Sequence, residues 1–472
     1  MSAVMDDVIA AGQLVPLSEA VEVNPKLDRS SLTDDSDVSF VPMAAVEAMS
    51  GGIDVSTVRK YAEVKKGYTH FRDGDILFAK VTPCMENGKM AIARKLVNGI
   101  GFGSTEFHVL RPRAGVDARY IYYFVSSRTF RKEASGHMTG AVGLRRVPSA
   151  YLEDQLIPLP RIEVQREIVA EIEKQFSRLD EAVANLQRVK ANLKRYKASV
   201  LKDAVEGRLV PTEAELARRE GRSFETGEQL LRRILETRRK LWSGRGKYVE
   251  PDWSMPEGLP SLPDGWTWAP FGVMGKDPFN TVQTGPFGAQ LHNTDFTQSG
   301  VPVVAVGNLT GTGFRRDGLY FISQEKADQL DRYDVWSGDI LFARSGATLG
   351  KVCVAPTDVS NWRMTGHILR ARLNVDLLRP DTALYSLAAL PTVTKQIFGS
   401  VRGVTRPGFN TSLLESIWIP IPPLVEQDRI ITEIDSRMSL LAGIEGQVDA
   451  NLKRAAKLRQ SVLAAAFSLS NI

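Results

Sequence analysis

LIPLPRIEVQREIVAEIE at Leu156–Glu173 returns as WIPIPPLVEQDRIITEID at Trp418–Asp435. In both copies a short apolar run closes on prolines, which lack the N–H a strand ladder needs, and a helical pattern follows at once. Gln165 and Gln427 lie 262 positions apart, and so do the SVL tripeptides at Ser199–Leu201 and Ser461–Leu463. An offset that holds across the whole stretch means that the helices after the two junctions match in length. Upstream, GDILFAK at Gly74–Lys80 returns as GDILFAR at Gly338–Arg344. A repeat this long predicts two similar domains, each followed by a long helix, and so two similar binding faces held at a set separation.

The helices carry a heptad seam. Ile172, Leu179, Leu186, Leu193 and Val200 recur every seven residues, with Ile168, Phe176 and Val183 in the alternate row, which drifts to Val189 and Tyr196. That is a coiled-coil stripe of about four heptads. At 1.5 Å per residue, a helix over 162–206 spans roughly 65 Å. Glutamates crowd its first turns and Lys/Arg its last, which complements the helix dipole. The second seam is Ile434, Leu441, Val448, Ala455 and Val462, with Met438, Leu452 and Leu458 beside it. Gly443 and Gly446 each cost about 1 kcal/mol of helix propensity there. The two stripes bury each other most simply within the chain. Parallel and antiparallel pairings satisfy the pattern equally.

These signals predict an α+β or mixed fold class with five segments: a mixed α/β domain over 1–160, a long helix over 161–209, a linker with one helix over 210–263, a second mixed domain over 264–422 and a second long helix over 423–472. In the first domain DILFAKV (Asp75–Val81) and EFHVLRP (Glu106–Pro112) read as strands, and ARYIYYFVSSRTFRKEAS (Ala118–Ser135) as one helix. The linker helix is placed at Ser223–Trp242, followed by a Gly- and Pro-dense stretch to Trp266.

Composition narrows the class. No run of eighteen apolar residues offers a membrane span. The N-terminus carries acids where a signal peptide carries Lys or Arg. Two cysteines, Cys84 and Cys353, make no disulfide framework and suit a reducing, cytoplasmic setting. The net charge of +5 permits nucleic-acid binding without arguing for it. Locally, the first fifty residues are acid-rich, and from Arg59 to Arg146 the balance turns basic; a plain solvated surface gives the same clustering.

Catalytic patterns are missing. KDPFN (Lys276–Asn280) has one proline where an amino-methyltransferase loop needs two. SGATLGK (Ser345–Lys351) is a residue short of a phosphate loop, and Val352 stands where Ser or Thr must hold magnesium. The five histidines lie at no metal-ligand spacing. Asp73 and Asp75 read as a polar turn into a strand before they read as a metal pair. No catalytic or metal-binding residue is predicted, and the cysteines read as small core residues.

Polymer-binding chemistry is present in both copies. AKVTPCMENGKM (Ala79–Met90) offers Lys80, Thr82, Asn87 and Lys89. ARSGATLGK (Ala343–Lys351) offers Arg344, Ser345, Thr348 and Lys351. TGAVGLRRV (Thr139–Val147) carries Arg145 and Arg146, and GSVRGVTRPGFN (Gly399–Asn410) carries Arg402, Arg406 and Asn410, each just before its closing strand. Lys and Arg neutralise phosphates, and Arg and Asn read guanine and adenine edges bidentately. Ordinary hairpin loops carry the same residues, and chemistry alone does not separate the two readings.

The doubled GDILFA string and the doubled Pro-Leu-Pro junction resemble those of the specificity subunit of type I restriction–modification systems. QTGPFGAQLHNTDF (Gln283–Phe296) leading to VPVVAVGNL (Val301–Leu309), and FGSTEFHVLRP (Phe102–Pro112), carry the same likeness. It covers about 14–209 and 264–472. Val164 departs from the Glu-Gln pair usual in the family, which Glu426-Gln427 keeps, and the extended linker with its helix is less typical. The resemblance implies that each globular domain is a target-recognition domain reading one half of a split DNA site. It implies that the helices, the family's conserved regions, pack antiparallel around a pseudo-twofold axis. Two methyltransferase subunits would dock on them, and restriction/translocase subunits could join. The chain itself would be non-catalytic, with no cofactor of its own, and SAM, ATP and magnesium would belong to the partners. A coiled-coil scaffold gripping protein partners through its two domains, without DNA, is the rival reading.

Overall fold

The computed structural model describes residues 13–467 apart from 142, 245, 252–253, 278, 312, 345–349 and 400–409. Contacts divide the chain into two units, residues 1–189 with 447–472 and residues 190–446. The division cuts both long helices, and each unit is described by itself.

The strands of the first unit are β1 (Gln13–Pro16), β2 (Val21–Val23), β3 (Asp37–Val41), β4 (Val58–Lys60), β5 (Thr69–Arg72), β6 (Ile76–Ala79), β7 (Met90–Ile92), β8 (Ile100–Gly103), β9 (Phe107–Pro112) and β10 (Leu156–Leu159). They form a sheet in the order β2-β9-β6-β7, a second in the order β4-β3-β8-β5, and the pair β1-β10. Only β3 and β8 run parallel. The ILFA of the repeated string is β6. Ile76 and Phe78 face one core, with Tyr120 and Phe124, and Leu77 and Ala79 face the other, with Phe71 and Val109. Burial on both faces explains why this strand reads as an unbroken apolar run.

The single helix expected at Ala118–Ser135 is two: α1 (Ala118–Ser126) and α2 (Arg128–Gly136). Ser127 is extended, and its hydroxyl accepts from the Phe130 N–H. A residue that caps the second helix cannot continue the first. The long helix α3 (Ile162–Val205) begins two residues after β10. Its Ile168, Val169, Ile172 and Phe176 join the first core, as do Leu463, Ala466 and Phe467 at the end of the C-terminal helix (Leu424–Ala466). Arg459 of that helix pairs with Asp180 at 2.7 Å and lies 4.2 Å over the Phe176 ring.

The second unit repeats the plan. Its strands are β11 (Thr267–Pro270), β12 (Val282–Thr284), β13 (Phe296–Thr297), β14 (Val301–Val304), β15 (Tyr320–Ile322), β16 (Asp334–Val335), β17 (Ile340–Ala343), β18 (Val352–Val354), β19 (Trp362–Met364), β20 (Ile368–Ala371) and β21 (Trp418–Ile421). The sheets are β12-β20-β17-β18, β13-β15-β14-β19-β16 and β11-β21, the first unit's order with β13 added at an edge. Again one pair, β14 and β19, is parallel. The second ILFA, β17, divides its side chains between two cores as β6 does.

Where one linker helix was expected there are two. Helix α4 (Glu213–Glu220) opens on a capping box of Thr212 and Glu215 and stops at Gly221, whose φ of 63° suits glycine. Helix α5 (Gly227–Lys240) opens on a second box, Thr226 with Gln229. It buries Leu230, Leu231 and Ile234 against Trp268 and Phe271. The segment expected to be a linker thus supplies part of a domain core. The unit also holds helix α6 (Pro380–Ala389) and the first half of the C-terminal helix, α7 (Leu424–Ala466), which runs unbroken through Gly443 and Gly446.

In this unit Lys197 of α3 pairs with Glu445 of α7 at 2.6 Å, whereas Ala204 meets the cluster of Ile430 and Ile434. Going up α3 means going down α7, so the helices are antiparallel. Along the seam Ile172, Val200, Ile434, Leu441 and Val448 are buried, and Leu179, Leu186, Leu193, Ala455 and Val462 are half-buried. In the neighbouring row Ile168 and Phe176 are buried and Val183, Met438 and Leu452 half-buried, whereas Val189, Tyr196 and Leu458 are exposed. A helix of 3.6 residues per turn drifts about 20° per heptad against a 3.5 repeat, which carries that row towards solvent. No helix among the described residues is long and apolar enough to cross a membrane.

Candidate nucleic-acid interface

In the first unit the two loops singled out in the sequence are laced together. The Thr82 N–H donates to Arg145 O, the Arg145 N–H to the Thr82 hydroxyl, and the Val147 N–H to Lys80 O. Lys80, Thr82, Arg145 and Arg146 therefore stand on one edge beyond β6. Arg146 forms a bidentate pair with Glu106, at 2.8 and 2.5 Å. The guanidinium holds the Glu106 carboxyl below the usual glutamate range. Arg145 lies 3.7 Å from Glu86. Glu86 also binds the Ser135 hydroxyl, and its carbonyl accepts from Arg131, so α2 braces the loop from behind. Lys89 donates to Met43 O at 3.1 Å, away from the arginines, and Asn87 is exposed. Beneath the edge, His108 donates from Nε2 to Val147 O at 2.8 Å and its Nδ1 accepts from Asn24. Burial lowers the pKa of this imidazole, which suits a neutral ring.

In the second unit Arg344 follows β17 as Lys80 follows β6. Its N–H donates to His367 O, its Nη1 donates to the Thr284 hydroxyl at 2.9 Å, and its guanidinium lies 5.0 Å from the centre of the Phe287 ring. Beside it opens a cleft of about 530 Å³ lined by Phe287, Leu291, Asn293, Phe296, Tyr320 and His367 among others. Phe296 and Tyr320 stack at 4.6 Å. Gly366 lets the 285–288 loop cross, since a Cβ there would stand 2.2 Å from Pro286 O. This aromatic cleft escaped the sequence reading, because its walls come from four separated segments. Lys351 is exposed. Asn410 is exposed and caps the short helix Thr411–Glu415 through the Leu413 N–H. Ser345, Thr348, Arg402 and Arg406 lie outside the described residues.

At the other end, both strands are entered through an ion pair of the same kind. Asp75, ahead of β6, accepts from the Arg72 N–H and binds Arg111 bidentately at 2.8 and 2.7 Å. Asp339, ahead of β17, accepts from the Trp336 N–H and binds Arg372 at 2.8 and 2.7 Å. Each aspartate closes the turn into its strand and ties it to the next strand of the sheet. Among the described residues no cluster of three or more His, Cys, Asp or Glu could hold a metal. The buried Cys353 thiol is pushed up to about 12, which disfavours the thiolate a nucleophile needs. The arrangement presents cations, amides and aromatic rings on loops over rigid sheets, which suits binding a polyanion and reading base edges.

Residues 13–195 and 288–454 match the family model described as the type I restriction modification DNA specificity domain. The chain is similar to the EcoAI specificity subunit of a type I restriction enzyme from Escherichia coli, at 26% identity over 468 residues, 89% of this chain and 76% of that one. It is similar to the EcoEI specificity subunit from the same species at 27% identity over 478 residues, with the same coverage. In fold it resembles the HsdS subunit from Thermoanaerobacter tengcongensis, with a TM-score of 0.53 and 21% identity over 97% of this chain and 96% of that one. A chain from a study of assembly and conformational transition in the type I R-M system gives a TM-score of 0.63 at 19% identity, covering 97% of both.

Proposed function

Since this chain belongs to the type I restriction modification DNA specificity family, we propose that it is the sequence-reading subunit of a type I restriction–modification complex. Each mixed domain reads one half of a bipartite site in double-stranded DNA. The paired helices set the unread spacer and dock two methyltransferase subunits, and restriction/translocase subunits join that core. Methyl transfer and nucleotide-driven cleavage belong to those partners, and the chain contributes recognition.

The observation that carries this reading is the duplication. Two domains of one strand order each run into a long helix through one junction, yet their loops differ: Lys80, Arg145 and Arg146 in the first, Arg344 beside an aromatic cleft in the second. Equal scaffolds with unequal loops suit two different half-sites. A rigid helix pair would hold half-sites on one face of B-DNA about one turn apart.

The test is to express the chain with the methyltransferase subunit of its own host and map methylated adenines across the host genome. The expected result is one bipartite motif with a fixed spacer. Methylation without such a motif, or a mobility shift that shows no DNA binding by the complex at low salt, overturns the reading in favour of a protein-only scaffold.

A further inference from the structure

One side chain makes the same contacts in both units. Gln165 and Gln427 sit in the first turns of α3 and α7, and both are fully buried. Gln165 Oε1 accepts from the Asp117 N–H at 2.9 Å, and its Nε2 donates to Pro160 O at 2.8 Å and Gly115 O at 3.3 Å. Gln427 Oε1 accepts from the Arg379 N–H at 2.9 Å, and its Nε2 donates to Pro422 O at 3.0 Å. Asp117 and Arg379 are the N-cap residues of α1 and α6. Pro160 and Pro422 each follow a closing strand, β10 and β21. One carboxamide thus joins a long helix, the strand that enters it and a helix of the adjoining domain. Only a primary amide offers an acceptor and a two-proton donor on one short stem.

We propose that Gln165 and Gln427 are positioning residues that fix the angle at which each long helix leaves its domain, and that this angle restricts recognition to one spacer length. The proposal rests on the function proposed above. Ile168, Val169 and Ile172 also hold α3 to its domain, but apolar contact has no direction. The ion pairs Arg119–Glu173 and Arg379–Asp428 join the same helices from partly exposed positions, where water weakens them, whereas the opposed hydrogen bonds of the carboxamide are buried and directional. Angle matters because the helices are long. At the end of a rod of roughly 65 Å, a tilt of about 3° displaces the tip by about 3.4 Å, one base-pair step.

The experiment uses the full chain assembled with its methyltransferase subunits, and a library of sites whose spacers run from two base pairs shorter than native to two longer. Gln165→Met and Gln427→Met keep the side-chain length and remove every hydrogen bond of the carboxamide. Loss of one net buried hydrogen bond's worth of angular restraint corresponds to about a fivefold fall in preference for the native spacer over its neighbours. Both half-site sequences should stay the same, and the Asp117 or Arg379 amide should exchange faster with solvent. Gln165→Leu and Gln427→Leu likewise fill the site without a donor or an acceptor, so the same fall is expected; these carry the test should a Met variant not assemble. Assembled variants with an exposed amide but an undiminished spacer preference overturn the proposal, as does relaxed half-site sequence at a fixed spacer. A wild-type complex that methylates no bipartite site would instead overturn the function proposed above.

Discussion

Asp75 and Asp339 show what a single residue does here. The DG-D pattern around Gly74 is readable as a turn, and Asp75 does close that turn by accepting from the Arg72 N–H. Its second partner, Arg111, lies on another strand, where no local pattern points to it. Asp75→Ala leaves Arg111 largely buried without its carboxylate. Losing one partner of a buried pair costs about 3–5 kcal/mol, so this variant should unfold at markedly lower denaturant; an unchanged midpoint would refute the role. Asp339→Ala should cost less, because Arg372 is a third exposed and keeps Asp334 at 3.2 Å. Arg146 makes a different prediction. If it touches bases, Arg146→Ala costs about 1–3 kcal/mol and relaxes the first half-site alone, whereas uniform weakening across sequences would make it a phosphate contact. Its partner adds a pH dependence. Because Arg146 lowers the folded-state pKa of Glu106, the pair's contribution is present above the unfolded glutamate value of about 4.3 and is lost as pH falls through the lower folded value. Arg146→Ala should therefore flatten the acid limb of the stability curve, modestly because the pair is partly exposed to solvent.

At the scale of elements, local rules and long-range packing divide the outcome. Four heptads of apolar pattern per helix announce α3 and α7, since periodicity is a property of neighbouring residues. The break at Ser127 and the helix α4 were missed although their signals are local: a serine able to cap, and Thr212-Glu213-Ala214-Glu215, a capping-box string. Apolar periodicity outweighed them in the reading. The core role of α5 has no local signal, because its partners Trp268 and Phe271 lie beyond the Gly- and Pro-rich stretch. The helix pair carries its own prediction. Removing one heptad from each helix, within Ile172–Val200 and within Ile434–Val462, keeps the seams facing and shortens the pair by about 10 Å. The preferred spacer should shorten by about three base pairs, with both half-site sequences unchanged. Methylation mapping that returns the original spacer would remove the helices' measuring role.

For the whole molecule, the expected consequence of duplication is modularity. Replacing 226–422, which keeps α5 with the core it packs into, by the equivalent segment of a family member with another target should change one half of the methylated motif and leave the other half and the spacer intact; a change in both halves would show that the domains do not read independently. The amino-acid sequence by itself determined the duplication, the two long helices, the Pro-closed junctions and the family, because repeats, heptads and turn residues are written in neighbouring positions. Tertiary structure alone decided that the helices run antiparallel, that the loops at 80–82 and 145–147 are laced into one edge, that four segments build the cleft beside Arg344, and that Gln165 and Gln427 reach Asp117 and Arg379. Those facts depend on which distant donor meets which acceptor and which apolar faces share a core, and such pairings exist only once the chain has closed on itself.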